Sequence, residues 1–190
     1  MRDAKTLRIV LALLILACPK AFAQKATQDL ELSYGFAPPP LVAASFWNMI
    51  FGGGSTKAVG PIGLEYTYQL GGRTAVGVSG SYAEITYQKT SSTTSSSRLK
   101  NQAKYVTLLP QFQVYLGRKD KLETYSAISL GISYEHFTST HDHEATSKEW
   151  LPAYHVTGIG VRTKAKTAFA AELGYGYKGI LNLGISRRIN

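Results

Sequence analysis

The chain holds a single cysteine, Cys18, and only two tryptophans and two methionines in 190 residues. One cysteine excludes an internal disulfide, so stability must come from packing, hydrogen bonds or a membrane. Long hydrophobic runs are also missing. The longest, Ile9 to Ala17, is far short of the roughly 20 residues a spanning helix needs. If this chain crosses a bilayer it does so as a closed sheet, because only helices and closed barrels satisfy their backbone groups in lipid. Lysine is scarce within the strand-like segments and crowded at their ends, whereas a solvated strand face displays it throughout. No zinc-finger spacing or basic helix accompanies the net charge of +9, which removes nucleic acid as a partner.

What is present begins with a leader. Arg2, Lys5 and Arg8 precede the apolar run, and Ala21-Phe22-Ala23 precedes Gln24, the pattern of a secretory signal peptide cleaved after Ala23. Residues 1–23 are therefore read as signal and 24–190 as one barrel domain. A competing lipobox reading of Ile15-Leu16-Ala17-Cys18 would lipidate Cys18, but Leu16 is bulky for that position and Pro19 follows the cysteine. The leader carries four of the 21 basic residues and one of the 12 acidic ones, so the charge of 24–190 falls from +9 to +6. Anionic lipid and lipopolysaccharide phosphates are the natural partners of such an exported chain.

Eight segments then alternate with a period of two. They cover about Asp29 to Phe36, Ile62 to Leu70, Thr74 to Gln88, Lys104 to Leu116, Leu122 to Phe137, Leu151 to Arg162, Thr167 to Tyr177 and Ile180 to Ile189. In the second, Ile62, Leu64, Tyr66, Tyr68 and Leu70 oppose Gly63, Glu65, Thr67 and Gln69. The even-numbered connections are short and basic, and most of the others are long. This asymmetry of rims belongs to an outer-membrane barrel.

Alternation alone fits two barrels, a soluble one with its oily side inward and a membrane one with its oily side outward. The polar face decides for the second, since it is mostly small: Gly63, Gly77, Ser79, Ser81, Gly131, Ser133, Gly158, Gly160, Gly174, Gly176 and Gly184 suit a crowded interior. Twelve tyrosines, with Tyr34, Tyr82, Tyr105 and Tyr177 at strand ends, suggest aromatic girdles. Tyr115 and Tyr154 fall in the polar register. The expected fold is thus all-β, an eight-stranded antiparallel up-and-down transmembrane β-barrel with a filled polar lumen. With both termini in the periplasm, Arg73, Arg118, Lys119, Lys121, Lys164, Lys166, Arg187 and Arg188 gather near the inner rim.

In this alternation and in its ending Leu-Gly-Ile-Ser-Arg-Arg-Ile-Asn, the chain resembles the small OmpA-like and OmpX-like outer-membrane barrels, above all the barrel-only proteins of Bacteroidetes. The resemblance spans nearly all of 24–190. It implies a monomer in the cell outer membrane of a Gram-negative envelope, inserted by the barrel-assembly machinery, with a structural or surface-interaction role. The ending departs from the family's assembly signal, because Ile189 and Asn190 stand where the last residue is usually aromatic.

Charge that lipid would not tolerate must sit in the lumen. Alternation places Glu31, Glu65, Glu135 and Glu172 there with Arg162 and Arg188, as a structural charge cluster that plugs any pore. The first long connection contains the oily stretch Leu41 to Phe51, in which Leu41, Ala44, Trp47 and Phe51 share a helical face and suggest an interfacial helix or lid. The tract Thr90 to Ser97 reads as loop filler. His141-Asp142-His143-Glu144 lacks a third fixed ligand, so neither a metal nor a cofactor is expected. A lipid-A-modifying barrel enzyme is the main alternative, with His155, Thr157, His136 and Ser133 as its ingredients; no His-x-Ser-Asn pattern is present, and no enzyme activity is expected. A soluble periplasmic ligand-binding barrel is the second alternative.

Overall fold

The computed structural model describes residues 27–37, 54–90, 98–119, 121–141 and 143–189. The leader and the stretch with Leu41, Ala44, Trp47 and Phe51 lie outside them. Eight strands form in order: β1 (Gln28–Phe36), β2 (Gly54–Gly71), β3 (Thr74–Thr90), β4 (Arg98–Arg118), β5 (Leu122–His141), β6 (His143–Thr163), β7 (Thr167–Gly176) and β8 (Leu181–Ile189). Each pairs antiparallel with its neighbours in sequence, and β1 closes on β8 from Gln28↔Ile189 to Phe36↔Leu181. The sheet is a closed up-and-down barrel, with no edge where it is closed.

Alternation sorts the side chains into two environments. Leu32, Leu130 and Phe169 are 60%, 63% and 67% exposed, while Glu65 and Arg162 retain 2% and 1%. A protein folding in water buries apolar groups and solvates charge. This one does the reverse, as a barrel in lipid does.

The strands differ in length. β1, β7 and β8 have nine or ten residues, one bilayer crossing, whereas β2 to β6 have 17 to 21. All the excess lies at the end away from the short turns, so β2 to β6 continue as a wall. On β3 to β6 the outward face of that wall changes character along one cross-strand row, which climbs around the barrel because the strands are tilted. Tyr34, Ile62, Tyr82, Val106, Tyr134 and Trp150 are successive cross-strand partners. Two residues further up, Val59 of β2 is still apolar, but its partner Glu84 begins a polar row in which Lys104, His136 and Lys148 follow as successive partners. Below the aromatic row the outward face of β4 reads Val106, Leu108, Pro110, Phe112, Val114 and Leu116. Ten steps of about 3.3 Å, tilted by about 40°, give a belt on the order of 25 Å high, the thickness of a barrel's lipid-facing band.

Around the upper boundary aromatic rings pair: Tyr34 with Phe36 at 5.0 Å, Tyr134 with Trp150 at 5.1 Å and Tyr154 with Tyr175 at 6.3 Å between centroids. Tyr34 and Tyr82 belong to this girdle, as the sequence suggests. Tyr105 and Tyr177 do not. Tyr105 turns inward, donates to Glu135 Oε1 at 2.9 Å and meets the Tyr177 ring edge-on.

The polar segment Thr138 to Glu149, expected as a loop, is instead the top of a hairpin. β5 runs to His141 and β6 starts at His143, paired from Phe137↔Ser147 to His141↔His143. Threonine and serine there serve the ladder as well as they would serve a loop. The tract expected from Thr90 as filler is likewise flanked by strand, with Thr90↔Arg98 paired; residues 91–97 lie outside the described residues.

A single extra residue in β6 has wide effect. The pairing of β6 shifts between Thr157 and Ile159. Gly158 and Ile159 both face outward, and the parity of β6 reverses across them. Strict alternation back from Arg162 puts Tyr154 inside and His155 outside. The bulge corrects both: His155 is buried in the lumen, and Tyr154 faces out.

Candidate functional site

The chemistry of this chain is concentrated in the lumen, where five buried carboxylates meet two buried cations and two cations at the lower rim. At the upper end Lys178 Nζ bridges Glu65 Oε2 at 2.7 Å and Glu172 Oε2 at 2.9 Å. Glu65 also accepts from Gln111 Nε2 at 2.8 Å and from Thr67 Oγ1 at 3.2 Å. Glu172 accepts from the Tyr125 hydroxyl at 2.8 Å and from Thr157 Oγ1 at 3.5 Å. One level down, Arg162 donates to Glu31 Oε2 at 2.8 Å and to Asp29 Oδ2 at 3.4 Å, its guanidinium carbon 5.3 Å from the centre of the Tyr125 ring. At the lower rim Arg188 reaches Asp29 at 3.1 Å and Glu123 at 3.6 Å, while Arg118 lies 3.7 Å from Glu123 and stacks over Tyr115 at 3.8 Å. Tyr115 and Tyr125 meet edge to face at 6.2 Å.

Several of these bonds join strands that are not neighbours: β4 to β2, β5 to β7 and β6 to β1. They cross the interior and fill it. Small residues make the room. A Cβ at Gly160 would stand against the Tyr125 ring, and one at Gly184 against the Glu31 carboxylate.

Of the six residues expected as a lumen charge cluster, the structure brings together Glu31, Glu65, Glu172 and Arg162. Arg188 joins at the rim, a quarter exposed. Glu135 stands apart in the wall, half-buried and bonded to Tyr105. Sequence reasoning missed Asp29, Glu123 and above all Lys178. The first two lie in the inward register of β1 and β5 and were available to the same alternation. Lys178 was not: it reads as a turn residue beside Gly179. The turn after β7 carries Gly176 and Gly179 at positive φ of 135° and 97°, and Ile180 N donates to Phe36 O at 2.8 Å. That fold-back over the barrel mouth lowers Lys178 into the lumen.

The ingredients of a lipid-modifying site do not converge. Thr157 is bonded to Glu172, Ser133 is buried against Thr107 at 2.8 Å, and His136 faces outward. His155 is fully buried, and among the described residues neither ring nitrogen has a hydrogen-bond partner. Among the described residues no group of three histidine, cysteine, aspartate or glutamate side chains is placed to hold a metal. His141 ends β5 and His143 begins β6; Asp142 and the side chains of His141, His143 and Glu144 lie outside the described residues.

An apolar exterior, a charged and filled interior and a closed eight-strand sheet define a small transmembrane β-barrel. No family model matches the chain, and none of the curated proteins does. Among solved structures the chain is similar to Ail, the attachment invasion locus protein of Yersinia pestis. In complex with the heparin analogue sucrose octasulfate, that protein is 14% identical, with 87% of this chain and 100% of Ail covered and a TM-score of 0.45. A second structure of Ail gives 13% identity, 86% and 97% coverage and a TM-score of 0.43.

Proposed function

We propose that this chain is an integral barrel of a Gram-negative outer membrane, exported by residues 1–23, whose role is surface interaction. The observation that carries the reading is the outward change from apolar to polar above Tyr82, Val106, Tyr134 and Trp150 on β3 to β6, with a wall of β2 to β6 continuing above it. A purely structural span needs no such wall. Among the described residues 54–59 of β2 pair only with β3, and residues 143–153 of β6 only with β5, so the wall offers two strand edges to a partner. The filled lumen supports neither conduction nor catalysis. The protein acts as a monomer, inserted by the barrel-assembly machinery and surrounded by lipopolysaccharide on the wall side.

Two measurements on the same cells test this. The protein is expected in the outer-membrane fraction, with gel mobility that changes on boiling. An epitope inserted after His141 is expected to bind antibody on intact cells, and one inserted after Gly72 only after permeabilisation. Release with the osmotic-shock fraction would reinstate the soluble barrel, and the reverse epitope pattern would invert the orientation.

A further inference from the structure

The lower end of the β6–β7–β8 sector holds two adjoining features that the lumen does not use. The first is a cleft between the β6–β7 turn and the end of β8, lined by Lys164, Ala165, Lys166, Arg187, Arg188 and Ile189. Four of these six are cations and none is acidic. Lys166 and Arg187 are exposed, Lys164 is half-buried, and Arg188 is engaged by Asp29 and Glu123. The cleft is held in shape: Arg188 N donates to Lys166 O at 2.9 Å, Lys164 N to Lys121 O at 2.9 Å, and Phe169 N to Thr163 Oγ1 at 3.0 Å.

The second feature is an apolar groove of about 730 Å³ on the outside of the barrel, which begins just above that cleft at Thr163, Phe169 and Ile185 and runs across β8 and β1 to Tyr34 and Ile62. Ala171 makes it, as the smallest outward residue among Phe169, Leu173, Leu183 and Ile185. Phe169 and Ile185 are cross-strand partners at its lower end, and the next outward pair below them is Thr167↔Arg187. One strand face therefore passes from groove to cation within two residues, about 7 Å.

A groove that accepts an alkyl chain, ending on a cluster of cations at the depth of the lipid headgroups, matches one kind of molecule. We propose that this sector binds a single anionic phospholipid of the leaflet on the short-turn side, its phosphate between Lys166, Arg187 and Lys164 and one acyl chain against Ala171. Cations at this depth attract anionic headgroups, and the groove adds apolar contact that bulk lipid supplies less closely. The inference rests on the membrane-barrel reading, and heat-modifiable mobility in the same samples keeps the two separable.

The full chain, folded in detergent with equal amounts of phosphatidylglycerol and phosphatidylethanolamine of identical chains, is measured by native mass spectrometry. One phosphatidylglycerol is expected to be retained in preference. The double variant K166Q/R187Q is expected to lower that preference by on the order of tenfold at low salt. Ala171→Phe fills the groove and is expected to reduce retention of both lipids, while Arg73→Gln, in the β2–β3 turn, leaves both unchanged. Millimolar inorganic phosphate is expected not to displace the lipid. Equal retention of the two lipids by the heat-modifiable protein, a preference untouched by K166Q/R187Q, or displacement by inorganic phosphate alone would each overturn the proposal.

Discussion

Lys178 is the residue on which the upper lumen depends. It neutralises Glu65 and Glu172 at once, and each carboxylate has a second oxygen satisfied by a neutral donor, Gln111 or Tyr125. Buried charges are tolerable when paired and bonded in this way, and removing one partner leaves the other stranded at roughly 3–5 kcal/mol. Glu172→Ala, which leaves Lys178 paired with Glu65, is expected to lower the temperature at which the heat-modifiable band is lost, and Lys178→Met, which strands both carboxylates, is expected to lower it further. An unchanged transition in Glu172→Ala would show that the pair is not made. At the lower rim Arg118 is more exposed, and a partner in contact with solvent contributes less.

At the scale of the strand, the bulge at Gly158 and Ile159 determines which residues of β6 see the lumen. Above it His155 and Thr157 point inward; below it Gly160 and Arg162 do. A one-residue slip carries every side chain beyond it to the other face. Deleting Gly158 removes the bulge and leaves Ile159 as the one outward residue between Thr157 and Gly160, so strict alternation then keeps His155, Thr157, Gly160 and Arg162 all inward. The heat-modifiable band is expected to survive both this deletion and Gly158→Ala in refolding assays, and its loss in the deletion alone would show that the bulge itself, rather than the faces it assigns, is required.

For the whole molecule the filled lumen sets what the barrel can do. Eight strands enclose a space that side chains fill, and here paired carboxylates, cations and two tyrosines packed edge to face occupy it. No stable single-channel conductance is expected when the protein is reconstituted in a planar bilayer. Steady openings would mean that the charge network rearranges in lipid. Two surfaces are left outside the apolar belt, the wall that β2 to β6 build above it and the basic rim below it.

The sequence by itself determined the strand count, the closed-barrel architecture and the sense of its inversion. Each of these follows from local facts: a period of two, small residues on the polar face, basic turns and the lack of a spanning helix. It also placed Glu31, Glu65, Glu172 and Arg162 inside, because alternation runs unbroken to those residues from the lower end of each strand. Only the tertiary structure decided the position of Lys178, the exchange of His155 for Tyr154 and the height of the wall. The first depends on how a turn folds over the barrel mouth. The second depends on one bulged residue that composition does not mark. The third depends on cross-strand partners far apart in the chain, since Glu84, Lys104, His136 and Lys148 form a polar row only when the sheet is closed in register.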